Sequence, residues 1–320
     1  MKEPLVTVAV IAYKSADFII ETLESVKNQT YKNIELIISD DHSPDDTVER
    51  CRDWLEKNAN RFVNTKLITV EKNTGVTGNC NRALYAASGE YYQDLAGDDI
   101  MMPQATEKFV SFFQKHPEVK FAFGKSILFF GNFQDKDYHP QKFRFRALCM
   151  RDSVTAQKQY GYYQKFYYGN SAGYFTTPQT IKSIGGYNEK YPLQEDNALY
   201  MSLTKSGIKL YLLDEFVVYK RQHKDSIMHE KEENAILTKE QVRKLSGQQG
   251  FGPELIMSTP YLNTMRKISL WLNNNVIRTG NDKRRFKCRF YNCLRKWLNP
   301  FKWFLIWALI KDKVLTIIGY

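Results

Sequence analysis

The residues of this chain best suited to chemistry are adjacent carboxylates at Asp98-Asp99, which follow the strand-like run Tyr91-Tyr92-Gln93-Asp94-Leu95-Ala96-Gly97 and precede Ile100-Met101-Met102-Pro103. Two ionised carboxylates at a strand end repel each other and draw a cation between them. As hard oxygen donors they suit Mg²⁺ or Mn²⁺, ions that keep several waters and bridge to the phosphates of a nucleotide. The same residues also read as an acidic turn in which Asp99 caps a helix begun near Pro103. Further acids stand at Asp40-Asp41 and at Glu195-Asp196, the latter just before an apolar-periodic run whose amino terminus favours negative charge.

Something must bring these distant residues together. Leu5 to Ala12 is a buried strand by length and β-branching, and Asp17 to Lys27 has helical spacing at Phe18, Ile19, Thr22, Leu23 and Val26. Strand signals recur at Ile34 to Ser39, Lys66 to Glu71 and Glu90 to Leu95. Helical stretches follow Ser43-Pro44-Asp45-Asp46, at Asn79 to Ser88 and from Pro103 to about His116. Such alternation predicts a doubly wound parallel sheet, in which ligands bind beyond the carboxyl ends of the strands. Tyr13, Asp40-Asp41, Asn73 and Asp98-Asp99 each follow one of these four strands. The second half is less regular, with strands at Phe121 to Phe130, Gly173 to Thr177 and Lys209 to Tyr219, an aromatic stretch at Tyr160 to Tyr168 and a turn at Gly185 to Glu189.

The 320 residues are 43% hydrophobic, enough for a full core and against intrinsic disorder. No secretory leader pattern is read at Met1-Lys2-Glu3-Pro4. Cys51, Cys80, Cys149, Cys288 and Cys293 are odd in number and lack paired metal spacing, which suits free thiols in a reducing cytosol. The net charge of +11 lies entirely between Arg266 and Lys313, while residues 1 to 265 balance. A neutral body with a basic tail is a two-part design.

Taken in order, these motifs resemble the family 2 glycosyltransferases, inverting enzymes of the GT-A fold, across roughly residues 5 to 230. The carriers are Val6 to Tyr13, Ser39-Asp40-Asp41-His42-Ser43-Pro44-Asp45-Asp46-Thr47, Asn73-Thr74-Gly75 with Asn79, Asn81, Arg82 and Ala83, Ala96-Gly97-Asp98-Asp99, and Glu195-Asp196. The resemblance implies an α/β, Rossmann-like, mostly parallel central sheet flanked by helices. It also implies a catalytic domain at 1–230, with a nucleotide-sugar half at 1–102 and an acceptor half at 103–230. A helical, basic, amphipathic extension at 231–320 would follow.

By the same resemblance Ala12, Tyr13, Asp40, Asp41, Asn73, Gly75, Asn79, Arg82, Gly97 and Asp98 would hold the donor nucleotide, and Asp98, Asp99 and His223 would face Mn²⁺ or Mg²⁺. Gly186 and Tyr187 would meet the acceptor, with Tyr187 available to stack on a sugar. Asp196 would be the general base and Glu195 would raise its proton affinity. The chain departs from the family pattern at Ala96, where an Asp is usual, so metal is expected to bind mainly together with the nucleotide.

The tail mixes Lys and Arg with Trp and Phe over residues 283–313, which suits an anionic membrane surface. The uninterrupted apolar run Trp303 to Ile310 is far short of the roughly 20 residues of a spanning helix. An amphipathic helix packed on the catalytic domain is the other reading. The expectation is therefore a cytoplasmic enzyme, peripheral on the inner membrane, moving sugar from a nucleotide-sugar, with uracil as its base, to a glycan or lipid-linked acceptor. The alternatives are a non-catalytic nucleotide-sugar binder, raised by Ala96, and a nucleic-acid binder using Lys283 to Tyr291, which the neutral body disfavours. A nucleotidyltransferase would carry a Gly-rich phosphate loop where Ala12-Tyr13-Lys14-Ser15 stands.

Overall fold

In the computed structural model the described residues are 3–131, 133–135, 137–140, 149–165, 173–191 and 195–223. They fall within one compact unit, Met1–Leu255. The basic tail, with its expected membrane-facing segment 283–313, lies outside the described residues.

The strands are β1 (Val6–Ala12), β2 (Ile34–Asp40), β3 (Asn64–Ile68), β4 (Tyr91–Ala96), β5 (Ile100–Met101), β6 (Phe121–Phe130), β7 (Tyr138–Pro140), β8 (Tyr174–Thr176) and β9 (Tyr211–Gln222). The helices are α1 (Ile19–Lys27), α2 (Thr47–Asn58), α3 (Gly75–Ala86), α4 (Ala105–Lys115), α5 (Ala156–Lys165), α6 (Pro178–Lys182) and α7 (Glu195–Lys205). Among the described residues all the strands join one sheet in the order β3-β2-β1-β4-β8-β6-β9-β5, with β7 on the edge of β6.

The first four strands pair in parallel, as the alternation of strand and helix predicts. Beyond β4 the sheet is mixed: β8 runs antiparallel to both β4 and β6, β6 runs parallel to β9, and β5 is antiparallel to β9. The architecture is α/β with a parallel first half, and the second half, which the sequence shows as less regular, is mixed. Short β8 separates two long neighbours in space that are far from it in sequence, a pairing no local pattern encodes.

Both faces of the sheet are covered, which is why β1 and the middle of β2, Leu36 to Ile38, are largely apolar. Val6, Val8, Val10 and Ala12 point into a cluster with α1, α2 and α4, while Ala9 and Ile11 face a second cluster with α3, α5 and α7. Tyr91 and Leu95 follow the first cluster and Tyr92 the second, so β4 obeys the same period of two.

A buried carboxylate, Glu35, fastens the amino-terminal edge. It accepts hydrogen bonds from Thr7 Oγ1 at 2.6 Å, Ser88 Oγ at 2.7 Å and Ser88 N at 2.9 Å, and pairs with Lys66 Nζ at 3.1 Å. Burial alone would raise its pKa, but the bonds from Thr7, Ser88 and Lys66 overcome this and hold it below the usual value. Its stabilisation is present above the ordinary carboxylate range and is lost as pH falls through the lowered value. Glu35→Ala, which strands these donors, is expected to cost about 3 kcal/mol and to lower Tm by about 5–10 °C at neutral pH. Thermal scans should show that gap narrowing in acid.

Candidate active site

The loops after β1, β2, β3 and β4 meet at one edge of the sheet. Asp41 N donates to Ala12 O at 3.1 Å, Asn79 Nδ2 donates to the same oxygen at 3.1 Å, and Gly97 N donates to Ile11 O at 2.9 Å. A Cβ on Gly97 would stand 2.8 Å from Ser15 Oγ and 3.3 Å from Ala12 Cα, so the turn after β4 can approach β1 this closely only as glycine. Lys14 and His42, at the ends of β1 and β2, take left-handed φ values of 52° and 64°, which non-glycine residues adopt at some cost in strain. Lys14 N bonds Ser43 Oγ at 2.9 Å, tying these two strained loops together.

Asp40 and Asp41 are both buried and do different work. Asp40 closes its own loop by accepting from Ser43 N at 2.9 Å and from the Ser43 hydroxyl. Asp41 caps α3 from across the sheet edge, accepting from Thr74 N at 3.0 Å, Thr74 Oγ1 at 2.7 Å and Gly75 N at 2.7 Å, and from Arg82 Nη2 at 2.6 Å. A carboxylate there satisfies orphan amides and the positive end of the helix dipole. Asn73 bridges the two by donating to Asp41 O and accepting from Gly75 N, each at 3.0 Å. The helix therefore begins at Gly75, four residues before the sequence suggested, because its cap comes from far away in the chain.

On the other side of the edge, Asp98 Oδ2 lies 3.0 Å from His223 Nε2. The adjacent Asp99 is turned inward, its Oδ1 accepting from Arg221 N at 2.9 Å. Burial first, then the charge of Asp98, raise its pKa well above the ordinary value. Arg221 is itself buried. Its guanidinium donates to Asp98 O and Gly131 O at 3.0 Å each, pairs with Glu21, and lies 4.6 Å from the ring centres of both Phe18 and Phe129. Phe18 also packs 4.6 Å from the His223 ring, so one aromatic steadies both basic groups.

Of the expected metal-side residues, Asp98 and His223 converge, whereas Asp99 is held as support by β9. Among the described residues no group of three or more His, Cys, Asp and Glu is arranged to hold an ion. The pair nevertheless offers one hard carboxylate and one imidazole, and the His223 Nδ1 is buried without a protein partner. That donor set fits a cation completed by ligand oxygens and water.

Glu195 and Asp196 open α7. Burial, then the charges of Asp196 and Asp94, raise Glu195 above the usual carboxylate value. Lys220 on β9 lies within electrostatic reach of both Glu195 and Asp99, so the acid pair and the Asp98 turn flank one strand.

Tyr187 is 3% exposed, with its ring in the second core cluster, so the expected stacking on a sugar gives way to a different role. Its hydroxyl reaches Asp94 Oδ2 at 2.8 Å, beside Tyr174 at 2.6 Å, and the two hydroxyls also contact each other. Tyr163, from the aromatic stretch, is likewise buried, while Phe166 to Tyr168 lie outside the described residues. Gly186 has φ +82°, and a Cβ there would meet Asn81 Oδ1 at 2.8 Å. Asn81 grips that turn, accepting from Tyr187 N at 2.8 Å and donating to Tyr187 O and Glu189 at 2.9 Å. Asp94, Arg221 and Glu21 are the residues that sequence reading did not single out. The signal for Asp94 was an acid inside a strand expected to be covered on both faces.

The description Glycosyl transferase family 2 matches residues 7–181, more than half of the chain. An uncharacterized glycosyltransferase of Haemophilus influenzae is 34% identical over 116 residues, 36% of this chain and 35% of that one. The chain thus spans well under two thirds of that relative's length. An Escherichia coli protein named UDP-Glc:alpha-D-GlcNAc-diphosphoundecaprenol beta-1,3-glucosyltransferase WfaP is 27% identical over 227 residues, 70% of this chain and 79% of that one. Among solved structures, S. aureus TarS 1-349 in complex with UDP-GlcNAc is similar with a TM-score of 0.55 and 20% identity, over 76% of this chain and 71% of that one. Mannosyltransferase PcManGT from Pyrobaculum calidifontis, in complex with GDP-Man and Mn2+, gives 0.58 and 15% identity over 99% and 88%. At these identities the two structures share the fold.

Burial is the main cause that pushes Asp94 up to about 6, against the hydrogen bonds from Tyr174 and Tyr187, which lower it. A carboxyl raised in the fold stabilises fully below its unfolded value near 4, and that contribution is lost as pH rises through about 6. Thermal scans should therefore find the Tm of Asp94→Asn rising relative to the unsubstituted protein between pH 4 and pH 7.

Proposed function

The chain belongs to glycosyl transferase family 2, and on that premise we propose that it moves a sugar from a nucleoside-diphosphate sugar to a hydroxyl of a glycan or lipid-linked acceptor with inversion. The observation that carries this reading is the placement of two polar groupings around β9. Asp98 and His223 stand at the edge where the loops after the parallel strands gather, and Glu195, which opens α7 beside Asp196, feels the charge of the Lys220 that also acts on Asp99. Uridine diphosphate is the proposed donor nucleotide, since one named relative carries UDP-Glc in its name and TarS holds UDP-GlcNAc, whereas PcManGT holds GDP-Man.

Asp196 removes the proton from the acceptor hydroxyl as that oxygen attacks the anomeric carbon. The bond from carbon to diphosphate oxygen breaks on the opposite face, and the diphosphate departs with its electron pair. Glu195, its own proton affinity raised by burial and by the charges of Asp196 and Asp94, titrates together with the base as one acid pair. Asp40, Asp41, Asn73, Gly75, Asn79 and Arg82 shape the base and ribose end, with Ala12, Tyr13 and Gly97 forming the floor. Asp98 and His223 would hold Mn²⁺ or Mg²⁺, which when bound supplies positive charge to the diphosphate. With Ala96 where the family pattern has an Asp, ion and nucleotide bind together. Gly186 and Tyr187 contribute to the acceptor side through the backbone of their turn, since the Tyr187 ring is buried.

The catalytic part is assigned to residues 1–230, with its nucleotide half at 1–102 and its acceptor half at 103–230. The basic segment 283–313 then serves to hold the enzyme on an anionic membrane at its cytoplasmic face. A lipid-diphosphate acceptor of the kind named for the Escherichia coli relative would be found there. No described helix is long and apolar enough to cross a membrane.

Calorimetric titration with uridine diphosphate tests the donor site. Binding is expected to strengthen at least tenfold with Mn²⁺, and that gain should vanish in Asp98→Ala. Asp196→Asn should retain this binding and lose turnover by about 10²- to 10⁴-fold. Unchanged turnover in that variant would remove Asp196 as the base.

A further inference from the structure

Asp94 is a carboxylate in an unexpected place. Residues 92, 94 and 96 share one face of β4, so Asp94 stands on the same face as Ala96, one strand repeat (about 7 Å) earlier. That face looks into the second core cluster, where Tyr92 packs with Cys80, Ala83, Tyr174, Tyr187, Leu199 and Tyr200. Its side-chain partners are two neutral phenols, Tyr174 at 2.6 Å and Tyr187 at 2.8 Å. No described Lys or Arg forms an ion pair with it. A neutral side chain would accept the same hydroxyls without the desolvation cost of a charge, so stability does not explain the carboxylate.

The charged and titratable groups around Asp94 do. Cys80 on α3 lies within the fields of Asp94, Glu195 and Asp196 together, with Arg82 opposing them. Tyr92 lies beside it on β4, Tyr174 faces it from β8 and Tyr187 from the turn after α6. Glu195 and Asp196 approach from α7, and Lys220 on β9 opposes the charge of Glu195. Three acids from two elements thus share one region. Through Tyr187, Asp94 is also tied to the turn that Asn81 clamps from α3.

We propose that Asp94 is a positioning residue for the acceptor-side acid pair: its negative charge acts on Glu195 and Asp196, and its hydrogen bonds from Tyr174 and Tyr187 fix the turn that precedes them. This builds on the reading of Asp196 as the base. The charge behind the pair favours proton uptake by the base at neutral pH, while the two phenols keep Asp94 itself in one orientation.

The test uses the full chain with UDP-glucose as donor probe, following release of uridine diphosphate against pH. Asp94→Asn should move the acidic limb of kcat/KM to lower pH by about half a unit or more, because a like charge has left. Tyr187→Phe keeps the carboxylate and removes one of its two hydrogen bonds, so it should raise KM by loosening the turn and move the limb less than Asp94→Asn does. A loss that is uniform with pH in Asp94→Asn would overturn the proposal. A double-mutant cycle of Asp94→Asn and Asp196→Asn, read as thermal stability against pH, needs no substrate. It should show a coupling at pH 8 that disappears at pH 4, and absence of coupling at pH 8 would overturn the proposal even if UDP-glucose is not turned over. Should Asp196→Asn turn over normally while the coupling persists, the assignment of the base fails and the electrostatic link stands.

Discussion

A strand covered on both faces has no room for polar side chains except at its ends. That constraint governs β1 and β2, whose interiors are wholly apolar on one face or both. It drives hydrogen-bonding chemistry to the two edges of the sheet. At the amino-terminal edge it is structural, since Glu35 is consumed by Thr7, Ser88 and Lys66. At the carboxyl edge Asp40 ends β2 while Asp41 and Asp98 belong to the loops beyond the strands, and loops can be shaped around a ligand. Within β4 two polar side chains depart from the constraint, Gln93 bonded to Thr106 on one face and Asp94 bonded to Tyr174 and Tyr187 on the other.

The nucleotide side of the site was largely legible in the sequence. Runs of β-branched residues, helical periodicity and acids placed after each strand give the first four strands and their common edge, because parallel pairing with short crossovers leaves few other arrangements. What was not legible came from contacts made across long sequence separations. The start of α3 is set by Asp41, more than thirty residues earlier, and neither residue alone signals a cap. Arg221 reads as one basic residue among several near Lys220 and His223. Only β9, continuing to Gln222, places it between Phe18 and Phe129. Tyr187 shows the opposite failure. An aromatic beside a glycine pair suggests an open surface, yet packing takes the ring inward and leaves only its hydroxyl with polar work to do.

The Asp98 turn is held mostly by groups that have no chemistry of their own. Arg221 donates to its backbone and to Asp99, Glu21 compensates the guanidinium, and Phe18 packs on both Arg221 and His223. A planar, permanently charged group with several donors can serve these partners at once, which a lysine could not. The geometry of the Asp98–His223 pair is thus inherited from the packing of α1 against β9.

Asn81 has a consequence for how such proteins diversify. It sits on α3, in the first half of the chain, yet its amide grips the backbone of Tyr187 and the side chain of Glu189 in the second. The seam between the two halves is therefore stitched by a specific pair of segments that are more than a hundred residues apart. Recombination at the intervening loop, whether in nature or in chimeras built to graft a new acceptor preference, transplants one side of this stitch without the other. Exchanges that carry α3 along with the glycine turn preserve it, so the unit that must be inherited together is discontinuous in the chain.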